Sequence, residues 1–126
     1  MRDRIDFHSK ISIEKMVSLY QKATVAIVPS DYEGFGFPAV EAMACGTPVV
    51  STVGGSLREI VGEAGLLAPI RDPQALASQA SKLLSNEATQ HAYSAQGLDR
   101  VQKNFTWGKA ATRLDTYYKE ILANDS

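Results

Sequence analysis

The chain has 126 residues, 44% of them hydrophobic and 21% charged, with 13 lysines and arginines against 14 aspartates and glutamates. That length suits one domain, the near-zero net charge argues against a general nucleic-acid binder, and no apolar run reaches the roughly 18 to 20 residues of a membrane span. The charged start, MRDRIDFHSK, has no apolar core of a secretory signal, and the single Cys45 allows no internal disulfide, so a reducing cytoplasm is the expected location.

Taken in chain order, short β-type runs alternate with helical patterns. Ile5 to Phe7 is a short strand candidate. Ser12 is placed to cap a helix carrying Met16, Leu19 and Tyr20 on one side. Thr24 to Pro29 (TVAIVP) reads as a buried strand, β-branched and stopped by proline. Pro38 suits the first turn of a helix over PAVEAMAC, and Gly46 suits its exit. PVVST is a second buried strand, VGGS a loop, LREIVG a short helical turn and GLLAP a third strand. Asp72 then caps a helix with Pro73 in its first turn and an apolar stripe of Leu76, Ala80, Leu83 and Leu84. A further helix is expected over Ala88 to Lys103. A last one runs from about Trp107 to Leu122, with Trp107, Ala111, Leu114, Tyr118 and Ile121 in its stripe. Strands that are apolar throughout and alternate with helices predict a doubly wound parallel α/β sheet. Ligands of such sheets lie beyond the C-terminal ends of the strands.

That rule draws attention to SDYEGFGFPAVEAMACGTPVVS, residues 30 to 51. The loop DYEGFGFP follows the strand VAIV directly. Gly34 and Gly36 have no Cβ, so their backbone N–H groups can approach a ligand closely. The helix beginning near Pro38 offers unsatisfied N–H groups and a positive dipole end, which suits a phosphate or diphosphate. Glu41, one turn into that helix, is a carboxylate able to accept two hydrogen bonds from a vicinal diol such as a ribose. Glu33 lies in the loop itself, nearer whatever hangs from the phosphate. The pieces match a nucleotide sugar. The competing reading is a tight turn with Glu41 facing solvent, because a short glycine-rich turn is a weak signal alone.

PSDYEGFGFPAVEAMACGTPVVST, followed by GGSLREIV and GLLAPIRDP, resembles the C-terminal domain of retaining GT-B glycosyltransferases of family 4, the glycosyl transferases group 1. The likeness extends from RIDFHSKIS to NFTWGKAATRLDTYY. It implies a Rossmann-like fold and a nucleoside diphosphate sugar as donor. Glu41 would bind the donor ribose, and Glu33, the catalytic candidate, would lie near the donor sugar and its reacting centre. Backbone groups of Gly34, Phe35, Gly36 and Phe37 would approach the sugar and diphosphate. Thr52, Gly54 and Gly55 would close one side of the pocket. The family works without an essential tightly bound metal, and this sequence has no clustered His/Cys ligand set, so neither metal nor cofactor is expected. Glu33 is not assigned as a nucleophile; stabilising the departing diphosphate is the larger electrostatic task.

The sequence departs from the resemblance in ways that matter. In the family this domain opens with two further strand–helix units, whose arginine and lysine neutralise the diphosphate, and an N-terminal domain binds the acceptor. Residue 1 here lies almost at the third strand. Residues 1–126 are therefore expected to form a partial nucleotide-sugar-binding domain, truncated at its N-terminus and inactive by itself. Lys10 and Arg58 are the cations close enough in sequence to help, and Ser9 stands where the family turn has glycine. A strand order of 3-2-1-4-5-6 would leave VAIV (Val25, Ala26, Ile27, Val28) at an exposed edge. Such an edge invites self-association unless Ile5 to Phe7 shifts across to cover it. A non-catalytic nucleotide-sugar-binding or assembly module is the alternative, with an unrelated flavodoxin-like phosphate binder behind it. Cys45, His91 and Trp107 read as packing or surface residues, as does His8, though His8 lies near the expected strand end. Glu59 is a candidate for orienting the VGGS loop.

Overall fold

The computed structural model describes residues 4–31 and 37–104, with the side chain of Phe37 excepted. Its elements are α1 (Ile13–Lys22), β1 (Ala26–Val28), α2 (Phe37–Ala44), β2 (Val49–Thr52), α3 (Leu57–Val61), a 3-10 turn (Gly62–Ala64), β3 (Leu66–Ala68), α4 (Pro73–Leu84) and α5 (Glu87–Asn104). The caps are those the sequence suggests. The Ser12 side chain accepts from the Lys15 N–H, and Asp72 accepts from the Ala75 N–H with Pro73 in the first turn. Gly46 leaves α2 at φ +77°, a left-handed exit that a side chain would strain.

The strands form one parallel sheet in the order β1-β2-β3. Ala26 to Val28 pair with Val49 to Ser51, and Val50 to Thr52 pair with Leu66 to Ala68. Successive side chains of a strand point to opposite faces, and β2 obeys this. Val49 packs with α2 and α3 in a cluster that includes Met43, Leu57, Val61 and Val101. Val50 packs on the other side with Ala80 and Leu83 of α4. All four β2 residues are buried. Full burial of each valine contributes about 1.5 to 3 kcal/mol, so β2 anchors both layers. At the foot of α3, Arg100 of α5 donates through Nε to the Ile60 carbonyl at 2.6 Å and through Nη2 to that of Glu59 at 2.5 Å. It satisfies carbonyls that the short helix leaves unpaired.

Three expectations need correction. Ile5 to Phe7 is not a strand: it pairs with no described strand, and Phe7 is 93% exposed. β1 is not buried on both faces, because it lies at the edge of the described sheet and Ile27 is 51% exposed. Leu84 drops out of the α4 stripe and faces solvent, one turn step beyond Leu83, which carries the contact. The proposed helix from Trp107 lies outside the described residues.

Candidate functional site

The loops after β1 and β2 meet at the C-terminal end of the sheet. The Thr52 hydroxyl donates to the Ser30 carbonyl, which crosses from one strand end to the next. The Gly54 N–H donates back to Thr52 Oγ1 at 3.4 Å, and the Leu57 N–H bonds to the Gly54 carbonyl at 3.1 Å, opening α3. Gly54 is buried, while Gly55 is exposed and turns at φ +55°. A Cβ on Gly54 would run into the Asp31 carbonyl, with the Asp31 carbon 2.6 Å and the Ser30 oxygen 2.7 Å away. Only a hydrogen at this position lets the two loops touch. The loop after β3 joins them through Arg71, whose Nε lies 3.2 Å from Asp31 Oδ2 in an exposed ion pair. Asp31 thus sits among three strand ends, immediately before the glycine-aromatic segment in sequence.

Glu41 enters from α2. It is half-buried and turned toward α1, where the Tyr20 hydroxyl donates to its Oε2 at 3.4 Å. Burial pushes the Glu41 carboxyl above its ordinary value, and the bond from Tyr20 partly opposes that rise. The Tyr20 phenol is pushed up to about 12, first by burial and then by the adjacent Glu41 charge, so it keeps its proton and acts as a donor. The Cys45 thiol, in the turn just past the end of α2, is also raised, chiefly by burial and then by Glu41. A thiol held protonated fits its reading as a packing residue.

The structure therefore brings Thr52 and Gly54 against the base of the motif loop and sets Glu41 against α1. Thr52 is 1% exposed and its hydroxyl is committed to Ser30, so it joins the loops from below. Glu33, Gly34, Phe35 and Gly36 lie outside the described residues, and of Phe37 only the backbone, the first residue of α2, is described. His8 and His91 are exposed. Lys10 and Arg58 are exposed as well, and Arg71 is a further cation at the strand ends, outside the glycine-aromatic motif. Tyr20 is more than a member of an apolar stripe, because a half-buried phenol needs a partner for its hydroxyl. Among the described residues no group of three or more His, Cys, Asp or Glu could hold a metal ion, and no helix is long and apolar enough to cross a membrane.

A parallel sheet with helices packed on both faces of its central strand, and glycine-bearing loops gathered beyond its strand ends, defines a doubly wound α/β domain. Comparison with known proteins makes the assignment particular. Residues 1–100 match the family described as glycosyl transferases group 1, and the chain belongs to it. It is 39% identical over 106 residues to the O-antigen chain mannosyltransferase B of Escherichia coli, covering 84% of this chain and 28% of that protein. It is 39% identical over 124 residues to the D-inositol 3-phosphate glycosyltransferase of Corynebacterium diphtheriae, covering 97% and 29% respectively. Among solved structures, sucrose-phosphate synthase from Thermosynechococcus elongatus superposes with a TM-score of 0.79 at 38% identity, over 97% of this chain and 31% of that one. The C-terminal domain of a glycosyl transferase group 1 protein from Francisella tularensis gives 0.72 at 28% identity, over 82% and 53%. The Rossmann-like α/β fold expected from the sequence is the one found. The chain spans between a quarter and a third of the length of these two curated relatives.

Proposed function

We propose that this chain is the donor-binding part of a retaining glycosyltransferase, which moves a hexosyl unit from a nucleoside diphosphate sugar to an acceptor hydroxyl. The observation that carries the reading is Glu41, a half-buried carboxylate with the Tyr20 hydroxyl on one oxygen, on the helix that follows the glycine-aromatic segment. Burial of a charged group is unfavourable unless a partner repays it, and a ribose diol supplies two donors of the right kind. The diphosphate would meet the N-terminal N–H groups of α2 and the backbone of Gly34, Phe35 and Gly36. Glu33 would stand beside the donor sugar, with Thr52, Gly54 and Gly55 supporting the loop from the β2 side. In this reading the nucleotide sugar is a substrate and no metal or organic cofactor takes part. The acceptor is held by parts of the protein beyond these residues, and residues 1–126 alone turn over no donor.

The test is donor turnover by the whole protein. ADP-, GDP- and UDP-hexoses are offered with candidate acceptors, and release of the nucleoside diphosphate is followed beside the anomeric configuration of the product. Transfer with retention is expected from at least one donor, and Glu33→Gln should lower kcat by about 10² to 10³, the range for losing an electrostatic contact at the reacting centre. Inversion at the anomeric carbon, or full activity in Glu33→Gln, contradicts the mechanism. Donor binding without any transfer points to the non-catalytic module instead.

A further inference from the structure

Tyr20 belongs to α1, yet it is tied to the neighbouring elements at two places. The Thr47 hydroxyl donates to the Tyr20 carbonyl at 2.5 Å. Thr47 is itself 3% exposed, and its N–H bonds to the Ala42 carbonyl at 2.9 Å. One threonine therefore couples the last turn of α1 to α2, the helix that carries Glu41. The body of the tyrosine packs against the core cluster of Met43, Val49 and Val61. Its hydroxyl then reaches Glu41 Oε2. Among the described residues Tyr20 is the hydrogen-bond partner of Glu41, and none donates to Oε1.

We propose that Tyr20 is the positioning residue for Glu41, engaging Oε2 so that Oε1 is presented to the ribose hydroxyls of a nucleoside diphosphate. The proposal rests on the reading of Glu41 given under Proposed function. A glutamate in the second turn of a helix has three side-chain torsions, and a diol is gripped more tightly when they are fixed in advance. The phenol suits that task. It donates one hydrogen bond, brings no charge, and stands on a backbone locked to the same helix. The separation of 3.4 Å is long for an O–H···O bond. A contact of that kind can tighten when ligand engages the other oxygen.

The experiment measures ribose preference rather than affinity alone. Dissociation constants of ADP, GDP and UDP, and of their 2′,3′-dideoxy counterparts, are determined on the whole protein for wild type, Tyr20→Phe and Glu41→Gln. Wild type should prefer the ribose form of at least one nucleotide. Tyr20→Phe should reduce that preference about two- to tenfold, the net range for a typical intramolecular hydrogen bond, while affinity for the dideoxy form stays unchanged. A merely structural role would weaken both forms alike. If Tyr20→Phe fails to fold, Thr47→Val should show the same selective loss and Thr47→Ser should restore it. Preference retained in Tyr20→Phe but lost in Glu41→Gln overturns the positioning role and leaves the reading of Glu41 intact. Preference retained in Glu41→Gln, or absent from the wild type, overturns both.

Discussion

Replacing Gly54 by alanine tests how the strand-end loops are held together. The new methyl carbon would sit 2.6 Å from the Asp31 carbonyl carbon and 2.7 Å from the Ser30 oxygen. Both are backbone atoms, so no flexible side chain can move aside, and the loop after β1 must shift as a unit. Overpacking of this kind costs about 1 to 3 kcal/mol. With an unfolding entropy of about 2.1 cal/mol/K per residue, each kcal/mol lowers Tm by roughly 4 °C in a chain of this length. Gly54→Ala should therefore melt roughly 4 to 12 °C below wild type. Gly55→Ala is the matched control. Gly55 turns at φ +55°, and an alanine there costs about 1 to 2 kcal/mol through backbone strain alone. The two variants separate in a second measurement. Gly54→Ala should shift the amide resonances of Ser30 and Asp31 in a ¹⁵N-correlated spectrum, whereas Gly55→Ala should leave them in place. A Gly54→Ala protein with wild-type Tm and unmoved Ser30 and Asp31 signals would refute the close approach of the loops.

Two further outcomes follow from the same geometry. The folded state holds the Glu41 proton more tightly than the unfolded chain, whose value is near the ordinary 4.5. Stability should then fall as pH rises from that value towards the raised folded one, and remain lowered above it. Glu41→Gln should flatten this fall and be at least as stable as wild type at pH 7; urea midpoints at pH 4 and pH 7 check it, and a less stable variant at pH 7 contradicts it. The apolar groove of about 370 Å³ lined by Ile11, Met16, Leu19, Tyr20, Ala23, Ala26 and Ile27 flanks β1, and Ile5 to Phe7 does not cover that edge. The 126-residue chain is expected to self-associate at micromolar concentration. Size-exclusion chromatography with light scattering reads the mass directly, and a monomer counts against association through β1.

Much of this fold was legible because local rules and tertiary demands agree. Ser12, Asp72, Pro73 and Gly46 each do at a helix end what their chemistry favours, and the β-branched run of β2 is buried on both faces. The misreadings arise where a residue's state depends on a neighbour that local pattern cannot supply. Ile5 to Phe7 has strand-like composition, but a three-residue segment forms no ladder without a partner in register. The apolar run around Ile27 reads as core by composition, and it was the strand order rather than the run itself that pointed to the open edge where Ile27 lies half exposed. In the candidate site, sequence pointed to Glu41 and to the Thr52–Gly54 loop. It did not reveal that Gly54 is required by the backbone of Ser30 and Asp31, or that Tyr20 reaches Glu41 from a helix 21 residues upstream. Nor did it pair Arg71 with Asp31. These contacts join segments that become neighbours only once the sheet has formed.

The central claim is that Glu41 grips the ribose of a nucleoside diphosphate, and calorimetric titration of the whole protein tests it most directly. ADP, GDP and UDP are titrated into wild type and Glu41→Ala at matched pH and ionic strength. At least one nucleotide should bind the wild type, and Glu41→Ala should weaken that binding by about 1.5 to 3 kcal/mol, the range for hydrogen bonds to a charged group. Equal affinity in the two proteins would contradict the account.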